Sequence, residues 1–353
     1  MKLKIAVLKG DGIGPEVVDQ AIKVINKIGE KFGHQIEYKE ALTGAAAIDA
    51  LGNPYPEETH QICMESDAVL FGAIGDPKYD NNPSAPVRPE QGLLEMRKKL
   101  GLFANLRPTF TFPSLLHKSP LKQERIEGTD FICLRELTGG IYFGERGRKE
   151  NGETAFDTCV YTREEVRRLA KMGFEFALKR NKKLTLIDKA NVLETSRLWR
   201  ETVQQMEKEY PEVTVEYELV DSAAMRLVQW PKAYDVMITE NMFGDIITDE
   251  ASVIAGSMGL MPSASLGTHT SLFEPIHGSY PQAKGKNIAN PLATVLSAAM
   301  MFEYAFNLND EANLIREIVN KSLEQGIVTE DIAEGGKAYK TSEVGDWLAA
   351  NIK

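Results

Sequence analysis

Residues 2–28 read KLKIAVLKGDGIGPEVVDQAIKVINKI, and they contain the transition that most clearly indicates a fold class. The apolar run at 5–8 has the length of a buried strand, and the glycines at 10, 12 and 14 predict a tight turn. Pro15 follows where a first helical residue should stand, because an N–H is not needed there. Apolar residues then recur at helical spacing from Val17 to Ile28, which predicts a helix with one face packed on a sheet.

The same alternation of strand and helix continues along the chain. Predicted strands lie at 67–73, 131–134, 184–188, 213–220 and 235–239, and predicted helices at 92–100, 163–180, 194–210 and 243–258, with a mainly helical region from Pro291 onward. Three prolines between Pro83 and Pro89 predict a loop. We therefore predict an α/β architecture with a largely parallel mixed sheet.

One segment breaks this alternation. Residues 142–160 have extended, polar-alternating flanks around Asn151-Gly152, which is a hairpin signal. Such an arm could pair with another subunit.

Composition limits the classes of function. A length of 353 residues suggests two domains, and the net charge of −10 argues against nucleic acid and anionic membranes as partners. No apolar run reaches the length of a membrane span, and no signal peptide is visible. The three cysteines are odd in number and lack metal-ligand spacing. We therefore expect a cytoplasmic protein.

The glycine cluster at 10–14 invites a phosphate-binding interpretation. Its spacing, Gly10-x-Gly12-x-Gly14, lacks both the dinucleotide fingerprint G-x-G-x-x-G and the P-loop pattern. The cluster by itself indicates a tight strand-to-helix turn, with direct phosphate binding the less favoured alternative.

Three arginines suggest an anion site. Arg97 lies on a predicted helix, Arg107 follows in a short apolar stretch, and Arg135 ends a predicted strand. Arginine at such an end can clamp a carboxylate with two parallel hydrogen bonds. For any one of them, a local pair such as Arg135 with Glu136 is the alternative.

Acidic residues suggest a cation site. Asp245 and Asp249 are spaced i, i+4 and would share a helix face, where like charges repel unless a cation lies between them. With Asp221 they would form an all-oxygen set suited to Mg²⁺ or Mn²⁺. A capping Asp and a solvated Asp one turn later explain the pattern equally well.

Two residues could transfer protons. Lys189 follows a strand and would face the crevice where open α/β sheets bind ligands. A partly desolvated lysine can accept a proton. Tyr142 could donate one, although an aromatic residue of the hairpin is the simpler interpretation.

Several blocks carry a resemblance that covers nearly the whole chain. They are Gly10-Asp-Gly-Ile-Gly-Pro-Glu16, Phe103-Ala-Asn-Leu-Arg-Pro108, Arg135-Glu-Leu-Thr-Gly-Gly-Ile-Tyr-Phe-Gly144, Asp188-Lys-Ala-Asn-Val192, Asn241-Met-Phe-Gly-Asp-Ile246 and Gly267, with Glu274-Pro-Ile-His-Gly-Ser279 and Asn287-Ile-Ala-Asn-Pro291. In this order they resemble the β-decarboxylating dehydrogenases, a family that acts on isocitrate, isopropylmalate, homoisocitrate, tartrate or D-malate.

The resemblance implies a two-domain isopropylmalate/isocitrate dehydrogenase-like fold rather than the Rossmann fold. Residues 1–101 and 257–353 would form a discontinuous cofactor-binding domain. Residues 102–256 would form a domain for substrate, metal and dimerisation, with the hairpin arm near 142–160. A homodimer with shared sites is implied, in which Lys189 and Asp221 reach into the partner's site.

The resemblance also implies roles for individual residues. Tyr142 and Lys189 would transfer protons, and Asp221, Asp245 and Asp249 would bind Mg²⁺ or Mn²⁺. Substrate contacts would come from Glu90, Leu93, Leu94, Arg97, Arg107, Arg135, Val192 and Asp221. Cofactor contacts would come from Ile13, Asn191, Glu274, His277, Gly278, Ser279, Gln282, Ala289 and Asn290.

The implied substrate pocket favours 3-isopropylmalate. Leu93, Leu94 and Val192 would surround an isopropyl group, whereas the third carboxylate of isocitrate would lose solvation against two leucines. A smaller acid would forgo roughly 1–3 kcal/mol of apolar contact. We expect oxidative decarboxylation to 4-methyl-2-oxopentanoate and CO₂ with reduction of NAD, a step in leucine biosynthesis. The alternatives are a D-malate or tartrate dehydrogenase and a non-catalytic regulatory subunit.

The cofactor segment departs from the family in one place. NAD-selective relatives usually have Asp where this chain has Gln282, and the Lys-Tyr pair of NADP-using relatives is also absent. Gln282 could bond a ribose hydroxyl but has no charge to repel a 2′-phosphate, and Lys284 is close in sequence. We expect NAD, with its discrimination from NADP not accounted for by this position.

Overall fold

The chain forms two compact units. A computed structural model describes residues 1–82, 84–333 and 335–353, so Pro83 of the predicted 83–89 loop lies outside the described residues. One unit comprises Met1–Leu102 and Gly256–Lys353, and the other comprises Phe103–Ala255. The assignment of these units to cofactor and to substrate stays a prediction.

The described strands and helices follow in chain order. The strands are β1 Lys2–Gly10, β2 Gln35–Glu40, β3 Ala68–Ala73, β4 Leu102–Phe110, β5 Asp130–Glu136, β6 Arg146–Lys149, β7 Thr154–Asp157, β8 Lys183–Asp188, β9 Thr214–Leu219, β10 Val236–Thr239, β11 Pro262–Gly267 and β12 Ser271–Pro275. The helices are α1 Gly14–Phe32, α2 Gly44–Leu51, α3 Glu57–Met64, α4 Pro77–Asp80, α5 Pro89–Lys99, α6 Gln123–Ile126, α7 Arg163–Lys179, α8 Glu194–Met206, α9 Val220–Gln229, α10 Asn241–Ser252, α11 Leu292–Tyr304, α12 Asn309–Glu324, α13 Glu330–Ala333 and α14 Thr341–Asn351.

The first unit is built around β1. Its strands have the order β2-β1-β3-β12-β11, with parallel pairs except for the antiparallel β12–β11 pair. Helix α1 begins with Pro15 in its first turn, as the sequence predicts, and buries the face formed by Val17, Ala21, Val24, Ile25 and Ile28. Each of its valine and isoleucine side chains contributes about 1.5–3 kcal/mol on burial, so this face fixes α1 in the unit.

The second unit has a similar plan. Its strands have the order β4-β5-β10-β8-β9, and only the β4–β5 pair is antiparallel. Helices α9 and α10 pack on one another and contribute to a buried cluster of apolar residues from the strands and helices of this unit. The predicted α/β class with a largely parallel mixed sheet is confirmed.

The hairpin is also present. Strands β6 and β7 pair antiparallel around Asn151 and Gly152, which have positive φ values of 56° and 99°. Asparagine and glycine tolerate this conformation better than other residues. The hairpin signal in the sequence therefore reflects a real turn requirement.

Two helix ends differ from the sequence prediction. The helix predicted at 243–258 begins at Asn241, ends at Ser252 and continues as a 3₁₀ turn, Val253–Ala255. Gly256 then adopts φ 86°, which ends the helical path. The helix predicted at 194–210 similarly ends at Met206 before a 3₁₀ turn. None of the described helices is long and apolar enough to span a membrane.

Candidate active site

Two arginines share one face of the β4–β5 pair. Asn105 of β4 lies opposite Arg135 of β5, and Arg107 lies two residues further along β4. Since side chains alternate across a strand, Asn105, Arg107 and Arg135 point to the same side of the sheet. Both guanidinium groups are buried, with Arg107 8% and Arg135 2% exposed. Buried arginines need acceptors, and the structure supplies them.

Helix α10 provides the opposing carboxylates. Asp245 forms an ion pair with Arg135, and its Oδ1 lies 3.5 Å from Nη2 of Arg107. Nη1 of Arg107 donates to Asp249 Oδ1 at 3.1 Å and to Thr248 Oγ1 at 2.7 Å. The helix that the sequence predicts therefore carries Asp245 and Asp249 on the face that meets the arginines.

This cluster holds two guanidinium groups and two carboxylates, so its formal charges cancel. A divalent cation bound by Asp245 and Asp249 would leave the arginines with excess positive charge for an anionic ligand. The Asp249 side chain is 57% exposed and the Asp245 side chain 34% exposed, so both can reach a hydrated ion. Carboxylate oxygens are suitable ligands for Mg²⁺ or Mn²⁺. Asp245 and Asp249 could therefore supply two of the three predicted metal ligands.

Tyr142 joins the same cluster. It ends the 3₁₀ turn Gly140–Tyr142, and its hydroxyl donates to Asp245 Oδ2 at 3.0 Å. Its ring centroid lies 5.7 Å from Cζ of Arg135. Burial, and next the Asp245 carboxylate, raise the pKa of Tyr142 above its usual value. The phenol is therefore protonated at neutral pH and can act as a proton donor.

The turn that carries Tyr142 is held by residues that sequence reasoning missed. The buried Glu136 carboxylate accepts from Thr138 N and Gly139 N, both at 2.8 Å. Gly140 has φ 74°, and a Cβ there would lie 2.3 Å from the Tyr161 hydroxyl oxygen. The paired glycines of the block Arg135–Gly144 could have indicated this tight turn. The contact with Tyr161 could not have been predicted, because Tyr161 is distant in sequence.

Asn241 connects the parts of the cluster. Its Oδ1 accepts from Arg135 Nη2 at 2.9 Å, and its backbone oxygen accepts from Arg135 Nε at 2.9 Å. Its Nδ2 donates to the carbonyl of Gly139 at 3.2 Å. Asn241 thus ties α10 to β5 and to the turn before Tyr142.

Lys189 and Asp221 form a separate pair in the second unit. Lys189 follows β8, and its Nζ donates to Asp221 Oδ1 at 2.7 Å. This hydrogen bond lowers the pKa of the exposed Asp221 carboxyl. Within the described part of one chain, no three metal-binding side chains form a group, so Asp221 does not join Asp245 and Asp249.

Asn191 and Val192 lie in the exposed turn after Lys189, with Val192 61% exposed.

The remaining predicted substrate residues lie on α5 in the first unit. Nη2 of Arg97 is 3.5 Å from Glu274 Oε1, while the buried Nε of Arg97 has no partner among the described residues. Leu93 and Leu94 are half-buried, and Glu90 is exposed. Arg97 therefore pairs with a residue that the resemblance assigns to the cofactor.

A cavity of about 680 Å³ lies in the first unit. Of the predicted cofactor residues, Ile13, His277, Gly278, Ala289 and Asn290 line it. Burial lowers the pKa of His277, so its ring is neutral. Its Nδ1 faces the Gly278 carbonyl at 3.0 Å, while the buried Nε2 has no hydrogen-bond partner among the described residues. A neutral acceptor without a partner at the cavity wall fits the binding of a ligand that donates.

The glycine turn borders this cavity for a packing reason. Gly12 has φ 59°, and a Cβ there would lie 1.9 Å from the carbonyl oxygen of Ser279. The same oxygen accepts from Ile13 N at 2.8 Å. The close backbone approach explains the glycine without a bound phosphate. Ser279 is buried in this contact, and Gln282 is exposed outside the cavity lining.

Comparison with known proteins gives a consistent set of similarities. Residues 4–348 match the family model described as isocitrate/isopropylmalate dehydrogenase. A 3-isopropylmalate dehydrogenase from Bacteroides fragilis is 59% identical over 100% of this chain and 99% of that protein. One from Aquifex aeolicus is 53% identical over 100% of this chain and 98% of that protein.

Solved structures show the same similarity at lower identity. The crystal structure of isocitrate dehydrogenase from Methylococcus capsulatus has a TM-score of 0.89 at 31% identity, covering 99% of both chains. That of a β-decarboxylating dehydrogenase from Thermococcus kodakarensis has a TM-score of 0.81 at 34% identity, covering 99% of this chain and 96% of that one.

Proposed function

Because this chain belongs to the isocitrate/isopropylmalate dehydrogenase family, we propose that it oxidises and decarboxylates 3-isopropylmalate to 4-methyl-2-oxopentanoate and CO₂, with NAD and Mg²⁺ or Mn²⁺, in leucine biosynthesis. The observation that carries the proposal is the convergence of Arg107, Arg135 and Tyr142 on Asp245. The full-length relatives named 3-isopropylmalate dehydrogenase favour this substrate over D-malate or tartrate.

The side chains divide the chemistry among them. Arg107 and Arg135, with Arg97, hold the substrate carboxylates through charge-assisted hydrogen bonds. Lys189 accepts the proton of the 2-hydroxyl group, and Tyr142 returns a proton to C3 after CO₂ leaves. When bound, the divalent ion would stabilise negative charge on the substrate oxygen, and nicotinamide would accept the hydride. The raised pKa of Tyr142 keeps the required proton in place.

The residues assigned to the substrate pocket account for the choice of substrate. Leu93 and Leu94 present half-buried apolar surface on α5, which suits an isopropyl group and penalises a third carboxylate. Glu90 lies in the first turn of the same helix and is exposed. We assign Val192 and Asn191 to the partner's site, because they share the exposed turn that follows Lys189.

A homodimer would complete each site. Asp221 and Lys189 pair with each other, apart from the two carboxylates of α10, so the third metal ligand and the proton acceptor would come from the partner. Helices α9 and α10 pack together and expose Met225, Val228 and Ile246, a surface suited to burial between subunits. The predicted domains, 1–101 with 257–353 and 102–256, would then bind cofactor and substrate, respectively.

We also propose a cytoplasmic location. Cys63, Cys133 and Cys159 are all free thiols, and Cys63 and Cys133 are buried. Unpaired cysteines are usual where thiols are kept reduced.

A turnover comparison tests the proposed function. Purified protein with Mg²⁺ and NAD should reduce the cofactor fastest, by kcat/KM, with 3-isopropylmalate. Isocitrate, D-malate and tartrate are the competing substrates, and NADP is the competing cofactor. A higher kcat/KM for D-malate or tartrate would overturn the substrate assignment. Binding of 3-isopropylmalate without reduction of either cofactor would instead indicate a regulatory subunit.

A further inference from the structure

The cavity in the first unit has an acidic wall. Glu330 and Asp331, at the start of α13, both line it together with His277 and Asn290. The described residues that line this cavity include no lysine and no arginine. His277 is neutral because burial lowers its pKa, so the ionisable groups of the wall give it a net negative charge.

The Asp331 carboxylate is fixed in this wall. Its Oδ2 accepts from Ser257 Oγ at 2.7 Å and from Asn290 Nδ2 at 3.0 Å. Its Oδ1 accepts from Thr329 Oγ1 at 2.5 Å. Three donors therefore hold the charge beside Asn290, one of the residues that the resemblance assigns to the cofactor.

The positions that the sequence indicated for cofactor choice lie elsewhere. Gln282 is exposed in the 3₁₀ turn Pro281–Ala283 and is outside the cavity lining. Lys284 is also outside the lining, and its charge acts on the Asp49 carboxyl, whose pKa is lowered mainly by Lys78. Neither residue therefore contributes a side chain to the wall of this cavity.

We propose that Glu330 and Asp331 determine the selectivity of this chain for NAD over NADP, in place of the acidic residue missing at position 282. The inference rests on the proposed function, because it assumes that the cavity holds the adenosine half of the cofactor. The two cofactors share their pyrophosphate and differ only at the 2′ position. A 2′-phosphate adds about two negative charges at neutral pH, which two nearby carboxylates repel, whereas a ribose hydroxyl can donate to them.

A pair of adenosine fragments isolates this effect without turnover. Adenosine 5′-monophosphate and adenosine 2′,5′-bisphosphate differ by the 2′-phosphate, and calorimetry gives the Kd of each. The wild-type protein should bind the bisphosphate more weakly. In the double variant Glu330→Gln with Asp331→Asn, the Kd of the bisphosphate should fall roughly tenfold or more, as expected for removing two like charges. The Kd of the monophosphate should change much less.

Two further variants sharpen the experiment. Glu330→Gln alone leaves the Asp331 hydrogen bonds intact, so it reports the charge effect even if the double variant does not fold. Asp310→Asn, at an exposed position of α12 in the same unit, is the matched control for loss of one charge and should leave both Kd values unchanged.

The outcomes separate this inference from the proposed function. An unchanged ratio of the two Kd values in Glu330→Gln and in the double variant overturns the inference, as does equal binding of both fragments by the wild type. In either case, turnover of 3-isopropylmalate with NAD would still uphold the proposed function. Absence of that turnover in the wild type would instead count against the proposed function, whatever the fragments show.

Discussion

Arg135 illustrates why a guanidinium group is needed at this point of the chain. Nε and Nη2 donate to the backbone and side-chain oxygens of Asn241, while Nη1 pairs with Asp245. A planar fork can meet acceptors on two sides at once, whereas the ammonium group of lysine is a single point of charge. The buried site therefore depends on the shape of the side chain as well as its charge.

Tyr142 should be needed for its hydroxyl and not for its ring. Tyr142→Phe keeps the ring beside Arg135 but removes the donor to Asp245, so kcat should fall roughly 100-fold or more. Steady-state kinetics with 3-isopropylmalate would show the loss of rate, and a sedimentation measurement would show an oligomeric state unchanged from the wild type. Tyr210→Phe is the matched control, because its ring stacks on Phe174 away from the cluster. A near-normal rate in Tyr142→Phe would rule out the assigned role.

The raised pKa of Tyr142 also determines the direction in which kcat should change with pH. The donor form is the protonated phenol, and burial moves its pKa above the ordinary value of 10.0. The form that can donate therefore persists through pH 9 and is lost only at higher pH. We expect any alkaline limb assignable to this residue to have its midpoint above pH 10, as a profile of kcat against pH would show. An alkaline limb near pH 8 that disappears in Tyr142→Phe would contradict this assignment.

Helix α10 places two carboxylates one turn apart over the two arginines. Its first residue, Asn241, bonds Arg135, and the side chain of Glu240 accepts from Phe243 N at 3.0 Å at the start of the helix. These contacts fix the rotation of the helix about its axis. Asp245 and Asp249 consequently face the sheet side that carries Arg107 and Arg135.

Metal dependence should follow from this helix. Asp249→Asn removes one carboxylate, so the Mg²⁺ concentration for half-maximal activity should rise roughly tenfold or more. A titration of activity against Mg²⁺ measures this shift, and chelation of the metal should abolish turnover. Asp310→Asn, at an exposed position of α12, is the control and should leave the titration unchanged. Full activity in metal-stripped protein would refute the metal assignment.

The turn between β5 and Tyr142 depends on the buried Glu136. Both carboxylate oxygens accept hydrogen bonds from the turn, so Glu136→Gln would place an amide donor against a backbone donor. We expect the free energy of unfolding to fall by about 1–3 kcal/mol. The kcat should fall with it, while the KM for NAD stays near its wild-type value.

Chemical denaturation and steady-state kinetics measure the two effects of Glu136→Gln. The control is Glu164→Gln, in the exposed first turn of α7, which should change neither quantity. Loss of stability without loss of kcat would show that Glu136 stabilises the unit but does not position Tyr142.

The chain as a whole supplies its proposed catalytic groups in two sets. Arg107, Arg135 and Tyr142 meet at α10, whereas Lys189 and Asp221 pair with each other. A homodimer that exchanges the second set between subunits would complete both sites. If the sites are shared in this way, a mixture of two inactive variants should regain activity.

Mixing Tyr142→Phe with Lys189→Ala should restore activity if the sites are shared. After unfolding and refolding the mixture, a hybrid dimer would contain one site with both changes and one site with neither. For random pairing, activity should return to about a quarter of the wild-type value. Either variant refolded alone is the control and should stay inactive. No recovery in hybrid dimers shown to form would mean that Tyr142 and Lys189 act within one chain.

Local sequence patterns were enough to predict the class of fold and most of its elements. Hydrophobic period, proline at the start of α1 and Asn151-Gly152 in the hairpin act over a few residues, so they can be recognised without a structure. The helix carrying Asp245 and Asp249 was predictable for the same reason. The end of α10 could not be predicted in this way. A continued α-helix and a 3₁₀ turn before Gly256 have similar local sequence patterns.

Which of these residues meet depends on the three-dimensional arrangement of the strands and helices. Asn241 and Arg135 are 106 positions apart, and Arg107 and Asp249 are 142 apart, yet each pair is hydrogen-bonded. The pairing of Lys189 with Asp221 and the acidic wall formed by Glu330 and Asp331 were equally invisible in local patterns. Such contacts depend on how strands and helices are arranged in space, because ion pairs and hydrogen bonds act over a few ångströms whatever the separation along the chain.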